Sequence, residues 1–296
     1  MIQKTLSEHL KEKFGEKVYK LSLDGGMTCP NRDGTLGTRG CIFCSEEGSG
    51  EFAEKPCGDI ALQLERAKEK VSKKIKNGKY IAYFQSFSGT YAPLSYLRQI
   101  YTEAIKPDDI VGLAIATRPD CLSPEVIHLL KEINSVKPVW VELGLQTVKD
   151  STAEYIRRGY KTEVFDRGVK RLMEAGIETV AHIIIGLPGE DVEDAVNTAK
   201  HISDLGVNGV KFHLLYVSRG TDLEKEYNAG KFKTLSLEEY TEILKKCISV
   251  LRDDIIIHRL TGDGAKKDLI APLWSGDKKT VLNHINKALA NKAKDA

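Results

Sequence analysis

The sequence predicts an α/β protein, a partial (β/α)6 TIM-like barrel with a small C-terminal extension, and three observations predict it. Six short runs rich in Val, Ile, Tyr and Phe recur along the chain, segments with helical spacing separate them, and Gly, Pro, Asp or Ser punctuates each unit. Near-continuous apolar strands that alternate with helices imply a parallel sheet covered on its outer face.

The strands are read at 17–23, 80–87, 110–118, 139–147, 179–187 and 209–217. Crossover helices fall at about 58–76, 94–105, 124–134, 162–175 and 191–205. Ser123-Pro124-Glu125 supplies an N-cap, a proline in the first turn and an acidic start. Ala175-Gly176 and Leu205-Gly206 read as helix ends. Beyond the sixth strand come a helix near 236–252, the strand-like DIIIHRL at 254–260 and an amphipathic helix near 278–293. The expected organisation is a barrel over 1–220, with a long loop at 24–50, and an extension over 221–296 packed on it.

At 296 residues and 41% hydrophobic content the chain can bury a substantial core. It has no run of eighteen apolar residues, and its start, MIQKTLSEHLKEKFGEK, is charged where a signal peptide needs an apolar stretch. The expectation is a cytoplasmic protein with no membrane partner. Its 44 basic and 42 acidic residues nearly balance, which gives no nucleic-acid signal on its own. The lysine-rich segment at 67–79 reads as the solvated face of the first helix.

The chemistry concentrates in CPNRDGTLGTRGCIFC, where Cys29 is followed by Cys41 and Cys44 in a glycine-rich loop after the first strand. Barrel enzymes build their sites from such loops at the carboxyl ends of strands. In a reducing compartment a close cysteine group reads as a metal or catalytic site rather than a disulfide framework. A structural zinc needs a fourth ligand, with Cys57 or a histidine as the available donor. An iron–sulfur cluster held by three thiolates keeps one iron open to a small ligand. Cys57, Cys121 and Cys247 are isolated, which argues against a second complete cluster; Cys121 follows Arg118-Pro119-Asp120 at a strand end and stays available as a single catalytic thiol.

Other polar residues stand where a ligand across the barrel mouth would lie. Ser88, Gly89 and Thr90 follow the second strand. Glu142 and Gln146 share a side-chain parity in the apolar run VWVELGLQT, so both point the same way, towards a ligand or an internal network with a basic neighbour. Arg157 or Arg158 is placed to clamp a carboxylate or to lie on a solvated helix face. His182 and Ile184 lie in the fifth strand ahead of the Gly186-Leu187-Pro188-Gly189 turn, and Tyr216, Ser218 and Arg219 stand at the rim. The polar stretch from His258 to Asp263 reads as a cap for the site or a plain turn.

The segments DGGMTCPNRDGTLGTRGCIFC, YFQSFSGTYAP, IATRPDC, VELGLQT, RRGY, HIIIGLPGE and HLLYVSRGT together resemble radical S-adenosylmethionine (SAM) enzymes of the YhcC/YtqA type. These are an elongator-catalytic-subunit-like branch, here without a following acetyltransferase domain, so the acetyl-CoA reaction is not expected. Phe43 matches the aromatic residue that precedes the last cysteine of the signature, while the first gap, eleven residues, departs from the usual three. The resemblance implies that Cys29, Cys41 and Cys44 hold a [4Fe-4S] cluster whose open iron is chelated by S-adenosyl-L-methionine. It implies reductive cleavage of that molecule to a 5′-deoxyadenosyl radical that takes hydrogen from substrate, and an electron donor such as flavodoxin or ferredoxin. It places SAM contacts at Phe43, Ser88, Gly89, Thr90, Glu142, Gln146, Arg157, Arg158, His182, Ile184, Gly186 and Tyr216. It points to tRNA as the substrate, at the C5 side chain of the wobble uridine, with carboxymethylaminomethyluridine going to aminomethyluridine. A small-molecule or peptide substrate, or a non-catalytic iron–sulfur or zinc protein, are the alternatives.

Overall fold

The computed structural model describes residues 3–292 apart from 49, 74, 76, 77 and 263. Seven parallel strands form one curled sheet in the order β1 (Val18–Leu23), β2 (Lys79–Phe84), β3 (Ile110–Thr117), β4 (Val139–Gln146), β5 (Glu178–Ile185), β6 (Gly209–Leu214) and, last in space, β8 (Ile256–Arg259). The expected parallel (β/α) architecture is therefore present. The seventh strand comes from DIIIHRL, which does not merely pack on the barrel but pairs in parallel with β6, Lys211 opposite Arg259.

The crossovers are α2 (Ile60–Val71), α3 (Leu94–Ile105), α4 (Pro124–Asn134), α6 (Thr162–Glu174), α7 (Val192–Leu205) and α9 (Leu237–Ser249), with the short α5 (Asp150–Tyr155) ahead of α6. Their apolar faces and the outer face of the sheet share one core, in which Leu64, Leu97, Leu129, Phe165, Ile202 and Leu244 are fully buried. Capping fixes where these helices begin. Ser123 accepts from the Val126 amide, and Asp191 and Ser236 each close a capping box. The C-terminal α10 (Lys278–Lys292) completes this outer layer, adding Val281, Ile285 and Leu289 to the same core.

Two smaller clusters position the site. At the amino ends of the strands, α1 (Leu6–Phe14) lies against β1 and β8, and Leu10 joins Ile81, Tyr83, Trp140 and Val180 in an apolar plug. Thr5 bridges to Ile257, so α1 spans the gap between the first and last strands. At the carboxyl ends, the two-stranded ribbon of β7 (Val217–Ser218) and β9 (Leu269–Ala271) and the helix α8 (Asp222–Asn228) gather Ile42, Ile156, Leu187, Leu215 and Leu223. No helix of the described residues is long and apolar enough to cross a membrane.

Candidate active site

One cavity of about 580 Å³ opens at the carboxyl ends of the strands, and Cys29, Cys41 and Cys44 all line it. Their loop has little regular structure, so it is held by specific contacts. Ile42, between two of the cysteines, is buried in the upper apolar cluster; its amide donates to Ile156 O and its carbonyl accepts from Leu223 N at 2.8 Å. Burying such a side chain stabilises by roughly 1.5–3 kcal/mol, enough to hold a loop with few ladder hydrogen bonds. Asn31 donates to Arg157 O at 2.6 Å and points an amide N–H at the Cys41 sulfur, 3.7 Å away. Arg32 bridges the Cys44 and Ser45 carbonyls and lies over the Phe87 ring. Gly48, at φ 60°, brings the backbone against that ring, where a Cβ would collide.

Burial pushes the Cys41 thiol up to about 12, with the neighbouring Cys44 and Cys29 adding to the shift and Arg118 opposing it. Cys44 is raised by burial as well, against the pull of Arg32. A metal centre takes thiolates, so these sulfurs would release protons on loading. Among the described residues no three His, Cys, Asp or Glu side chains converge on a single-ion site. The remaining cysteines lie elsewhere: Cys57 is exposed, Cys247 is buried in α9, and Cys121 lines a separate groove with Thr90, Asp120 and Val126.

Below the thiols the cavity is lined by alternate residues of the strands: Lys20 and Ser22 of β1, Glu142 and Gly144 of β4, His182 and Ile184 of β5, Lys211 and His213 of β6. Lys20, His182 and Lys211 each lie three residues, and Glu142 four residues, before the end of its strand, so this polar layer is roughly 10 Å below the rim. Glu142 is completely buried and sits between the ammonium groups of Lys20, at 2.5 Å, and Lys211, with His182 Nε2 at 3.0 Å from its other oxygen. Burial raises its pKa, but Lys20 and Lys211 outweigh this and hold the carboxyl well below the usual range. Glu142 thus belongs to an internal network with basic side chains of facing strands. The contact from β1 to β4 also demonstrates how tightly the sheet curls.

Gln146 faces the same cavity although its backbone turns to φ 65° and breaks the β4–β5 register. Its Oε1 is buried without a hydrogen-bond partner among the described residues, which marks it as an acceptor waiting for a ligand. Phe43, Ile184, Arg158 and Tyr216 also line the cavity. Arg158, almost wholly buried, donates to Leu145 O at 2.7 Å, Thr147 O at 2.6 Å and Tyr160 O at 2.9 Å, so its guanidinium ties the end of β4 to the following loop. Arg157 does not reach the cavity: it pairs with Asp222 of α8 at 2.7 Å. Its carbonyl faces the Cys41 thiol at 3.6 Å, which makes it a support of the loop.

Ser88, Gly89 and Thr90 lie behind the lining. The Ser88 and Thr90 hydroxyls meet Thr117 Oγ1 at 3.1 and 2.6 Å, and Gly89 N donates to Ala116 O at 2.9 Å. A Cβ on Gly89 would stand 2.7 Å from that carbonyl, so the glycine lets β2's exit press on β3. Gly186, at φ 92°, turns the chain away after Ile184 and Ile185, with Leu235 against it. Gly262 and Gly264 approach the Tyr216 ring, where a Cβ on Gly264 would come within 2.8 Å; Asp263 lies outside the described residues. Ser218 lines the cavity, whereas Arg219 is exposed.

The sequence reading missed Lys20, Tyr83, Lys211 and His213, all of which line the cavity; Arg118, named only as a neighbour of Cys121, and Arg259, within the stretch read as a cap or a plain turn, line it too. A charged residue at the inward parity of an apolar strand, such as Lys211 in GVKFHLLYV, was the signal available.

Comparison with known proteins agrees with this architecture: residues 34–202 match the radical SAM superfamily and residues 207–291 the radical SAM C-terminal domain. The chain belongs to the radical SAM superfamily. It is 46% identical over 97% of its length to the uncharacterised protein YtqA of Bacillus subtilis, covering 89% of that protein. It is 28% identical to a tRNA uridine(34) acetyltransferase of Methanocaldococcus jannaschii over 52% of this chain and 28% of the relative. Among solved structures it resembles Methanocaldococcus infernus Elp3, with TM-score 0.68 and 19% identity over 91% of this chain and 63% of that one, a likeness of fold. The superfamily match begins after Cys29, so the first cysteine rests on the geometry of the cavity.

Proposed function

We propose that this radical SAM enzyme binds a [4Fe-4S] cluster through Cys29, Cys41 and Cys44 and acts on the C5 side chain of wobble uridine in tRNA, with carboxymethylaminomethyluridine to aminomethyluridine as the candidate conversion. The observation that supports the first half is that three thiols line one cavity rim, with no fourth cysteine beside them among the described residues. Zinc bonds of about 2.3 Å need sulfurs close together, whereas a cube of iron and sulfide accepts a wider set. When bound, the cluster supplies the electron that cleaves S-adenosylmethionine, and the resulting radical removes hydrogen from substrate.

The chain's own residues take defined parts. Asn31, Arg32 and the Arg157 carbonyl hold the cysteine loop; the unpartnered Gln146 amide oxygen offers an acceptor to a hydroxyl or amine of the cosubstrate; Phe43 and Ile184 wall the cavity against water. Glu142, His182 and the lysines form the polar base on which substrate rests. The relative that carries uridine(34) in its name supports the substrate half, along with the likeness to Elp3. The basic segments at 66–79 and 278–294 are the phosphate-binding candidates; residues 74, 76, 77, 293 and 294 lie outside the described residues. Reducing equivalents come from a flavodoxin- or ferredoxin-type donor.

The test incubates reconstituted, reduced protein and S-adenosylmethionine with tRNA from cells lacking the protein, followed by nucleoside mass spectrometry. Loss of carboxymethylaminomethyluridine with matching gain of aminomethyluridine is expected. An unchanged nucleoside profile, with cosubstrate cleavage indifferent to tRNA, would move the substrate to a small molecule or peptide.

A further inference from the structure

Among the described residues, the basic side chains at the base of the cavity outnumber the carboxylates that face them. Lys20, Lys211 and Arg259 line it from β1, β6 and β8, and the carboxylate at their depth is Glu142. Glu142 engages both lysines, while Arg259, in register with Lys211 on the adjacent strand, has no hydrogen-bond or ion-pair partner among the described residues. His213, the next inward-facing residue of β6 towards the rim, has its ring 5.1 Å from that of His182 and its Nε2 buried without a partner among the described residues. Burial depresses His213 well below the ordinary histidine range and His182 to about 4, so these rings stay neutral and add donors without charge. Arg259 is half-buried, and a cation partly removed from water with no counter-charge beside it gains from a ligand anion that enters the cavity.

We infer that Arg259, Lys211, Lys20 and His213 form an anion subsite at the barrel base that receives a carboxylate of the substrate. The planar guanidinium of Arg259 suits the two oxygens of a carboxylate. Depth selects between sources of anionic oxygen. A backbone phosphodiester is tied to two sugars and does not reach roughly 10 Å below the rim, whereas a terminal acid on a side chain does. The identity of the acid as the glycine-derived group of carboxymethylaminomethyluridine rests on the proposed function; the subsite itself does not.

Lys211 provides an independent readout. Its pKa is lowered to about 7, burial being the chief cause, with Glu142 opposing and Lys20 and Arg259 reinforcing; Tyr83, His182, His213 and His258 complete its surroundings. An entering carboxylate favours the charged ammonium, so binding above pH 7 takes up a proton.

The experiment measures binding of the nucleosides 5-carboxymethylaminomethyluridine and 5-aminomethyluridine to reconstituted protein by calorimetry, in buffers of different ionisation enthalpy at pH 8. In parallel, N-methylglycine, its amide and inorganic phosphate are compared as thermal stabilisers. The acid nucleoside should bind at least about tenfold more tightly than the amine, with proton uptake. Arg259→Gln should reduce that advantage to about twofold or less, and Arg259→Lys should restore part of it, provided that both variants keep the wild-type circular dichroism spectrum. If neither nucleoside binds but N-methylglycine alone stabilises the wild type and not Arg259→Gln, the subsite stands and the uridine reading falls. Equal binding of acid and amine, an advantage that survives Arg259→Gln, or phosphate stabilising as well as N-methylglycine would overturn the carboxylate subsite.

Discussion

The rim and the base of the cavity treat polar groups in opposite ways. At the rim three thiols line the cavity and the buried Gln146 amide oxygen has no partner among the described residues, while the protein uses its hydrogen bonds to hold the loop that carries the thiols. At the base Glu142 is enclosed by Lys20, Lys211 and His182, so the carboxylate has its partners within the protein. The difference teaches that unsatisfied groups mark where a ligand completes the site, whereas a buried charge with three partners is first of all part of the fold. Changes at the rim should therefore cost chemistry, and changes at the base should cost stability as well.

The largest effect is expected at the rim. Cys41→Ala should lose the iron–sulfur absorption band and lower 5′-deoxyadenosine formation to background, with the thermal unfolding midpoint of the metal-free protein little changed; retained turnover would break the contrast. At the base, Glu142→Ala leaves Lys20 and Lys211 facing each other without a counter-charge, and removing one partner of a buried pair typically costs about 3–5 kcal/mol. Urea unfolding measures this, and a loss under about 1 kcal/mol would show that the network does not hold the barrel.

Acid should expose the same region. Burial lowers His182 to about 4 and pushes His213 and His258 well below the ordinary value, so below about pH 6.5 the unfolded chain binds protons that the folded chain does not. Stability therefore rises with pH across this window and falls as pH drops from about 6.5 towards 4, by on the order of 3 kcal/mol for His182 alone. The depressed Glu142 adds a further loss below its ordinary range. Unfolding free energies measured from pH 7 to 4 check the slope, which His182→Asn should flatten.

The smallest effects sharpen the division. Gln146→Ala should weaken S-adenosylmethionine binding roughly tenfold, about 1.4 kcal/mol, without destabilising the protein. Ser88→Ala, which removes a buried partner of Thr117 and of the Arg118 amide, should cost about 1–3 kcal/mol in unfolding and leave that affinity nearly unchanged. The reverse pattern would make Ser88 the ligand contact and Gln146 the structural one.

Local order was legible because periodicity and punctuation act locally: the spans read as helices at 94–105 and 124–134 coincide with α3 and α4. The strand read to residue 87 ends at Phe84, because Phe87 turns to φ 54° and its amide bonds Gly48 O, a contact no window of sequence contains. The helix α1 went unread although Thr5-Leu6-Ser7-Glu8 spells its capping box. The three-cysteine loop was visible as spacing. The base was not, since Lys20 and Lys211 stand 122 and 69 residues from Glu142 and meet only when the sheet curls. Arg157 and Arg158 looked like ligand clamps because their hydrogen-bond partners, backbone carbonyls and Asp222, leave no mark in a local pattern.

The measurement that tests the central claim most directly is 5′-deoxyadenosine formation by the anaerobically reconstituted, dithionite-reduced protein with S-adenosylmethionine, with and without tRNA from cells lacking it. Cleavage that depends on all three cysteines and is strongly stimulated by tRNA is the predicted result. An intact cluster with no cleavage under either condition would contradict it.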